Sequence, residues 1–409
     1  MKYIAKMMLA LLASVTLAIP AYAWDFSASG TMEATLNVTS TKDDKDAKAS
    51  SAGSGVSSTG KSLTLKSSNT DGDHSATFSY VADWGGNLDQ TITVSGSKKV
   101  GKWTGSADVS YNLDQPGCYA QDNGTAVTGS NAVQTCPRGQ TGEDRGAVTL
   151  TDGTMTIKLG EAGHLSNQNV SSGSTAGGSQ SMDSADADLG IGAMVGDFHG
   201  VSVGYKISDT MSATVAYQTT GDQNDMLGAM DFVDGETAAY GTTGAGVSVS
   251  LAAGPAAVGV TVASASTSDL SGAGGTAKSS ASAMGLGVKI DLGDIDPFIS
   301  YGSNSVTAGT AANEGNNLSY AGMDVGLTYA MGSDTVVVQV GNLEEKVGKD
   351  DKGDKYSWME VGYNTTLGPA ALKVGYGSRT QADGDGVSGA WSGEGGTYSD
   401  IEVLMSISF

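Results

Sequence analysis

The side chains able to do chemistry in this chain are carboxylates, set mostly where no base answers them. Residues 161–188 carry Glu161, Asp183, Asp186 and Asp188 with His164 and neither Lys nor Arg. Asp222, Asp225, Asp231, Asp234 and Glu236 form a second base-free cluster, and Asp71-Gly72-Asp73 and Asp383-Gly384-Asp385 are smaller ones. Hard divalent cations want several such oxygens, but no cluster has the twelve-residue EF-hand pattern, so loosely bound cations are expected and a dedicated metal site or cofactor is not. His74, His164 and His199 are scattered, and no serine–histidine–carboxylate grouping is readable from spacing, so catalysis is not expected. What fixed carboxylates in a narrow space do is raise the local cation concentration and repel anions.

Cys118 and Cys136 share one Gly/Asn/Thr-rich stretch without CxxC spacing. A disulfide between them is expected in an oxidising compartment, contributing roughly 3 kcal/mol by chain-entropy arithmetic. The N-terminus points to that compartment. Lys2 and Lys6 precede an apolar run from Met7 to Ile19, and Ala21-Tyr22-Ala23 offers small residues for cleavage. Residues 1–23 thus read as a secretory signal peptide, too short to span a membrane as a helix. Residues 24–409 hold 44 acidic against 20 basic side chains, a net charge of about −24, with arginine only at 138, 145 and 379. Nucleic acid is excluded as a partner by that balance.

The elements that must position these charges are strands. The chain ends Ile401-Glu402-Val403-Leu404-Met405-Ser406-Ile407-Ser408-Phe409, with Ile401, Val403, Met405, Ile407 and Phe409 on one face. Such a strand would aggregate at the free edge of a soluble sheet, but it suits a barrel with lipid outside and water inside. The same period of two recurs along the chain. Val201, Val203, Tyr205 and Ile207 oppose Ser202, Gly204 and Lys206, and Met323, Val325, Leu327 and Tyr329 oppose Asp324 and Thr328. No uninterrupted apolar run beyond the leader is long enough for a spanning helix, so any membrane span is made of strands. Short turns alternate with long polar segments such as 39–60, 114–144, 161–187 and 220–241. Eighteen strands are predicted, or sixteen without the 87–113 hairpin, with short turns periplasmic and long loops outside. Parity places Lys66, Lys158, Lys206, Lys289 and Lys373 on the inner face, as a wall opposite the acids.

The last nine residues resemble the C-terminal signature of bacterial outer-membrane barrel proteins, which implies that Phe409 is read by the barrel-assembly machinery. Across the whole predicted barrel the chain resembles the general bacterial porins. Arg145 to Gly160, turning at Asp152-Gly153, is similar to the porin hairpin that leads into the constriction loop, and Asp197 to Tyr205 resembles the strand that returns from it. The resemblance implies that 161–187 folds into the lumen, so that Glu161, His164, Asp183, Asp186 and Asp188 line a pore constriction. It implies a homotrimer in the bacterial outer membrane, in contact with membrane lipid and lipopolysaccharide. The expected function is passive diffusion of small hydrophilic solutes and ions, with a preference for cations. The alternatives are a substrate-selective channel, a surface adhesin or structural barrel, and a soluble secreted β protein.

Overall fold

The computed structural model describes residues 24–43, 50–57, 61–83, 89–112, 145–168, 193, 195–218, 227, 240–269, 280–307, 317–347, 353–382 and 396–409. Every structural statement below concerns these. They form nineteen strands. The first nine are β1 (Asp25–Asp43), β2 (Ser50–Ser57), β3 (Lys61–Asp71), β4 (His74–Asp83), β5 (Asp89–Val100), β6 (Trp103–Asn112), β7 (Arg145–Thr151), β8 (Met155–Gly163) and β9 (Asp197–Ser208). Next come β10 (Met211–Gln218), β11 (Tyr240–Ala253), β12 (Ala256–Asp269), β13 (Ser280–Ile290) and β14 (Ile295–Thr307). Last are β15 (Leu318–Met331), β16 (Asp334–Val347), β17 (Asp354–Leu367), β18 (Ala370–Ala382) and β19 (Gly396–Ser408).

Apart from β2 and β3, which both pair with β1, each strand pairs antiparallel with its neighbours in sequence, and β19 pairs with β1, so the sheet closes on itself. Strands β2 and β3 share one place in the wall. Ser50–Ser57 pairs with the upper part of β1 at Thr35–Lys42, and Lys61–Ser68 with the lower part at Asp25–Met32. Nineteen segments therefore fill eighteen places, the number expected from alternation. The segment 39–60, expected as a loop, is corrected in part: β1 runs on to Asp43 and β2 pairs back onto it. Its Ser, Thr and Gly residues lack the apolar alternation that marks a strand, but cross-strand hydrogen bonds do not require it.

The two faces are inverted relative to a soluble protein. The outward face presents exposed apolar residues, among them Met32, Val148, Leu159, Val215, Ile401 and Phe409. Thr35, Ser202, Ser248, Thr261, Ser300 and Gln339 are buried on the inward face. A closed sheet that is apolar outside and polar within is stable in lipid because its ladder groups pair within the wall. No helix of the described residues is long and apolar enough to cross a membrane.

One rim consists of two-to-four-residue turns. Asp152, between β7 and β8, accepts hydrogen bonds from the Thr154 and Met155 amides and from Lys102 Nζ at 2.9 Å. Those donors hold its carboxyl down to about 2. Gly153, with φ at 87°, supplies the left-handed backbone the turn requires. At the seam, Gly30 N donates to Phe409 O at 2.9 Å and Phe409 N to Gly30 O at 3.0 Å. The Phe409 ring lies over Gly30, in space that any Cβ there would enter.

The inward face is not wholly polar, as alternation had suggested. Phe198, Tyr320, Leu343, Tyr356 and Trp358 are buried on it, in one apolar cluster with Ala263, Ala265, Ala281, Ala283 and Val306. These side chains form a stripe round the inner wall from β9 to β17. Leu165, Val195 and Leu227, from outside the strands, pack against it. Parity reports which face a residue takes but not what covers that face.

Candidate pore lining and its inner segment

Three residues before β8 ends, Gly160 takes φ 124°, a backbone that side chains rarely adopt. A Cβ there would also run into the Gly146 carbonyl of the neighbouring strand. After this irregularity the chain enters the barrel. His164 is buried, its Nδ1 2.9 Å from Ser202 Oγ and its Nε2 2.9 Å from the Gly160 carbonyl. Its ring leans on Phe198 with centroids 4.7 Å apart.

The next residues cross the inner faces of β9 and β10 to reach β11 and β12. Ser166 N donates to Ser248 Oγ at 3.2 Å. Thr261 Oγ1 donates to the Ser166 carbonyl, so the 2.6 Å contact between the two hydroxyls has Ser248 as donor. The three residues thus close a ring of hydrogen bonds. Gln168 Nε2 adds a bond to Thr261 Oγ1 at 3.1 Å. Leu165 and Gln168 lie against Gly246 and Gly259, which leave the room a side chain would take. On the return path, Ala193 N donates to the Asn167 carbonyl at 2.8 Å. Residues 164–168 and 193 therefore lie inside the barrel. Beneath them a cavity of about 600 Å³ reaches the turn rim, lined by Thr156, Gln168, Lys206, Thr214 and Lys289.

Thr261→Val will loosen this segment without opening the wall. Valine keeps the volume but leaves the Ser166 carbonyl and the Gln168 amide unpaired, at a cost of about 1–3 kcal/mol. Amide hydrogen exchange at residues 164–168 is expected to quicken while strands β11 and β12 stay protected. Unchanged exchange at Ser166 would show that the ring does not hold the segment.

The expected site residues separate into three groups. Asp183, Asp186 and Asp188 lie outside the described residues, as do Cys118 and Cys136. Glu161 belongs to β8 and pairs with His199, Oε2 to Nε2 3.5 Å apart. It stands two residues beyond the lipid-facing Leu159, so register puts it on the outward face, away from His164. That corrects its assignment to the lumen. The five lysines share the inner face by register: Lys66 between Ser27 and Ser79, Lys158 between Thr149 and Ser202, Lys206 opposite Ser212, Lys289 between Ala257 and Phe298, Lys373 beside Asn364. Several are already engaged. Lys158 Nζ reaches the Gly163 carbonyl at 3.1 Å, Lys206 pairs with Asp209 at 2.9 Å and Lys289 with Asp296 at 3.4 Å.

The inner-face acids of the last five strands did not enter the expected site. Asp324, Glu345, Asp354, Glu360, Asp400 and Glu402 are all buried on the inner face of β15, β16, β17 and β19. Among the described residues of β15–β19, Lys373 and Arg379 are the basic residues on that face. Glu360 stands opposite Gly377 and Glu402 opposite Gly375, so small neighbours give each carboxylate room. Asn37 Nδ2 donates to Glu402 at 2.7 Å, and Tyr356 OH lies 3.5 Å from Glu345. The signal for these acids was present in the alternation, which already set Asp324 and Glu402 opposite apolar residues.

No protein-family model matches the chain, and no curated protein does. Solved structures do. An outer-membrane channel, DcaP of Acinetobacter baumannii, matches with a TM-score of 0.53 at 12% identity, covering 95% of this chain and 99% of that one. OpdQ of Pseudomonas aeruginosa gives 0.51 at 11%, covering 94% and 98%. An anion-selective porin from Comamonas acidovorans gives 0.50 at 13%, covering 95% and 100%. What these share with the chain is the closed barrel over nearly its whole length.

Proposed function

We propose, from the premise that this chain is a porin-fold barrel of the bacterial outer membrane, that it forms a water-filled channel for passive diffusion of small hydrophilic solutes and ions, preferring cations. The observation that carries the reading is the inner wall of β15–β19, where six carboxylates meet two basic groups. Fixed charge at low-dielectric walls is weakly screened, so it sets which ions enter. The preference rests on this chain's own charges. Fold likeness carries no selectivity, and one of the similar barrels bears the opposite one in its description.

Residues 164–168 narrow the lumen, Lys66 and Lys158 supply counter-charges elsewhere on the wall, and Lys373 stands among the acids of β15–β19. Asp183, Asp186 and Asp188 would add to the constriction if the rest of the inner segment follows the same course. The outward apolar face supports lipid contact, with assembly through Phe409, loop contact with lipopolysaccharide through divalent cations, and a homotrimer as in the porins. Cleavage after Ala23 is part of the same reading. Thiol labelling of the unreduced protein is expected to fail at both Cys118 and Cys136, and labelling at both would remove the proposed disulfide.

The test is planar-bilayer recording of the refolded protein across a salt gradient. Stepwise conductance with a zero-current potential of the sign for cations is expected. Absence of channels in a correctly folded barrel would favour the adhesin or structural reading.

A further inference from the structure

The outward face of β4, β5 and β6 changes character toward the short-turn rim. Phe78, Val94 and Val109 stand in one outward row. The next outward row reads Ala76, Gly96 and Ala107 and runs on to Val148 of β7. With Gly105 one row further down, and Trp24 just before β1, these residues line an outward hollow of about 580 Å³. Elsewhere a wall glycine makes room for a side chain of the chain itself. Phe409 takes the space at Gly30, Leu165 that at Gly246 and Gln168 that at Gly259. A Cβ at Gly96 would meet nothing closer than the Ser75 carbonyl at 3.5 Å, and one at Gly105 nothing closer than Leu150 at 4.0 Å. None of the described residues fills this hollow. An exposed apolar recess with a polar rim marks a contact with membrane or protein, and the rim says which. Asp71, His74 and Lys98 stand side by side in the row nearest the turns, all exposed and all lining the hollow. Trp103, with Lys102 Nζ 5.4 Å from its ring centre, and Trp24 mark the same level as the membrane interface.

We propose that the hollow is a site for one phospholipid of the leaflet at the short-turn rim, with a headgroup that joins a phosphate to a primary ammonium. An acyl chain lies over Gly96 and Gly105. The phosphate oxygens accept from Lys98, with His74 beside them, and the ammonium donates to the Asp71 carboxylate. Asp71 and Lys98 stand two strand spacings apart, ~10 Å between backbones, so their side chains converge on a headgroup that carries both signs. Charge-assisted hydrogen bonds then form at both ends of the zwitterion. A choline headgroup has no N–H to give Asp71. A glycerol headgroup has no cation, and Asp71 repels its net charge. The rim therefore distinguishes three lipids that share the same chains.

The site needs the barrel in lipid but not an open channel, so it and the channel reading fail separately. The test is native mass spectrometry of the detergent-purified protein with dioleoyl phosphatidylethanolamine, phosphatidylcholine or phosphatidylglycerol added. One ethanolamine lipid per chain is expected, held about fivefold more strongly than either of the others. Gly96→Leu puts a side chain into the hollow without a clash and with better strand propensity. It should keep the heat-modifiable mobility of a closed barrel and weaken lipid retention roughly tenfold. Lys98→Gln should weaken all three lipids about fivefold. Asp71→Asn should keep binding but abolish the preference for ethanolamine over choline. No lipid retained by the unmodified protein, undiminished retention in Gly96→Leu, or an unchanged preference in Asp71→Asn would overturn the proposal. If the unmodified protein holds no lipid and Gly96→Leu breaks up an oligomer, the hollow belongs to a second copy of the chain instead.

Discussion

Gly30→Val will cut the yield of closed barrel as severely as deletion of Phe409, although valine is a better strand former than glycine. The seam between β1 and β19 joins residues nearly a whole chain apart, such as Thr31 and Ser408. Its last rung is the pair of backbone bonds between Gly30 and Phe409. The Phe409 ring occupies the space above Gly30, where a Cβ would meet the ring at 2.5 Å and the Ser62 carbonyl at 2.6 Å. Neither can give way cheaply, since one is packed on the seam and the other is backbone of the adjoining strand. A seam that stays open exposes two rows of ladder groups to lipid, each costing several kcal/mol. Heat-modifiable mobility on gels and surface yield report closure. Phe409→Asp should impair assembly far more than Ser408→Asp, because Ser408 lies opposite Thr31 on the inner side and tolerates a charge. Equal yields for those two variants would refute the outward placement of Phe409.

The second large effect concerns ion preference. Neutralising the wall as Glu345→Gln, Glu360→Gln and Glu402→Gln should move the zero-current potential toward zero by about half or more, most clearly at low salt. These three acids line the inner face of β16, β17 and β19, and glutamine keeps their volume. Glu161→Gln should leave the potential unchanged, because Glu161 shares the outward face with Leu159. Neutralising Asp231, Asp234 and Glu236 should also do little. Asp183→Asn, Asp186→Asn and Asp188→Asn together provide the comparison for the inner segment, and a smaller shift than that of the wall is expected. If the wall variant keeps its mobility and its potential, the carboxylates of β15–β19 do not set selectivity.

Period two was legible throughout, and with it the face of almost every strand residue. The five lysines, Asp324 and Glu402 could be assigned to the inside from Ile, Val and Tyr neighbours alone. Glu161 was misassigned because it was read with the loop that follows it, although counting from Leu159 sets it outside. Segment 39–60 was missed for a different reason. Its small polar residues carry no alternation, and only the partner strand, β1, makes a strand of Ser50–Ser57. The inner aromatic stripe was also missed, since Trp358 and Tyr356 occupy ordinary inward positions whose company is set by neighbouring strands.

The sequence by itself determined all-strand spanning and the inside–outside assignment, because side-chain direction in a strand is a local property with a fixed period. The tertiary structure alone decided which residues meet. It set Phe409 over Gly30, carried Ser166 to Ser248 and Thr261 across two intervening strands, and gathered carboxylates from four separate strands onto one stretch of wall. Those meetings depend on register and on closure of the ring. Both are settled by the pairing of strands distant in sequence, and no local pattern records them.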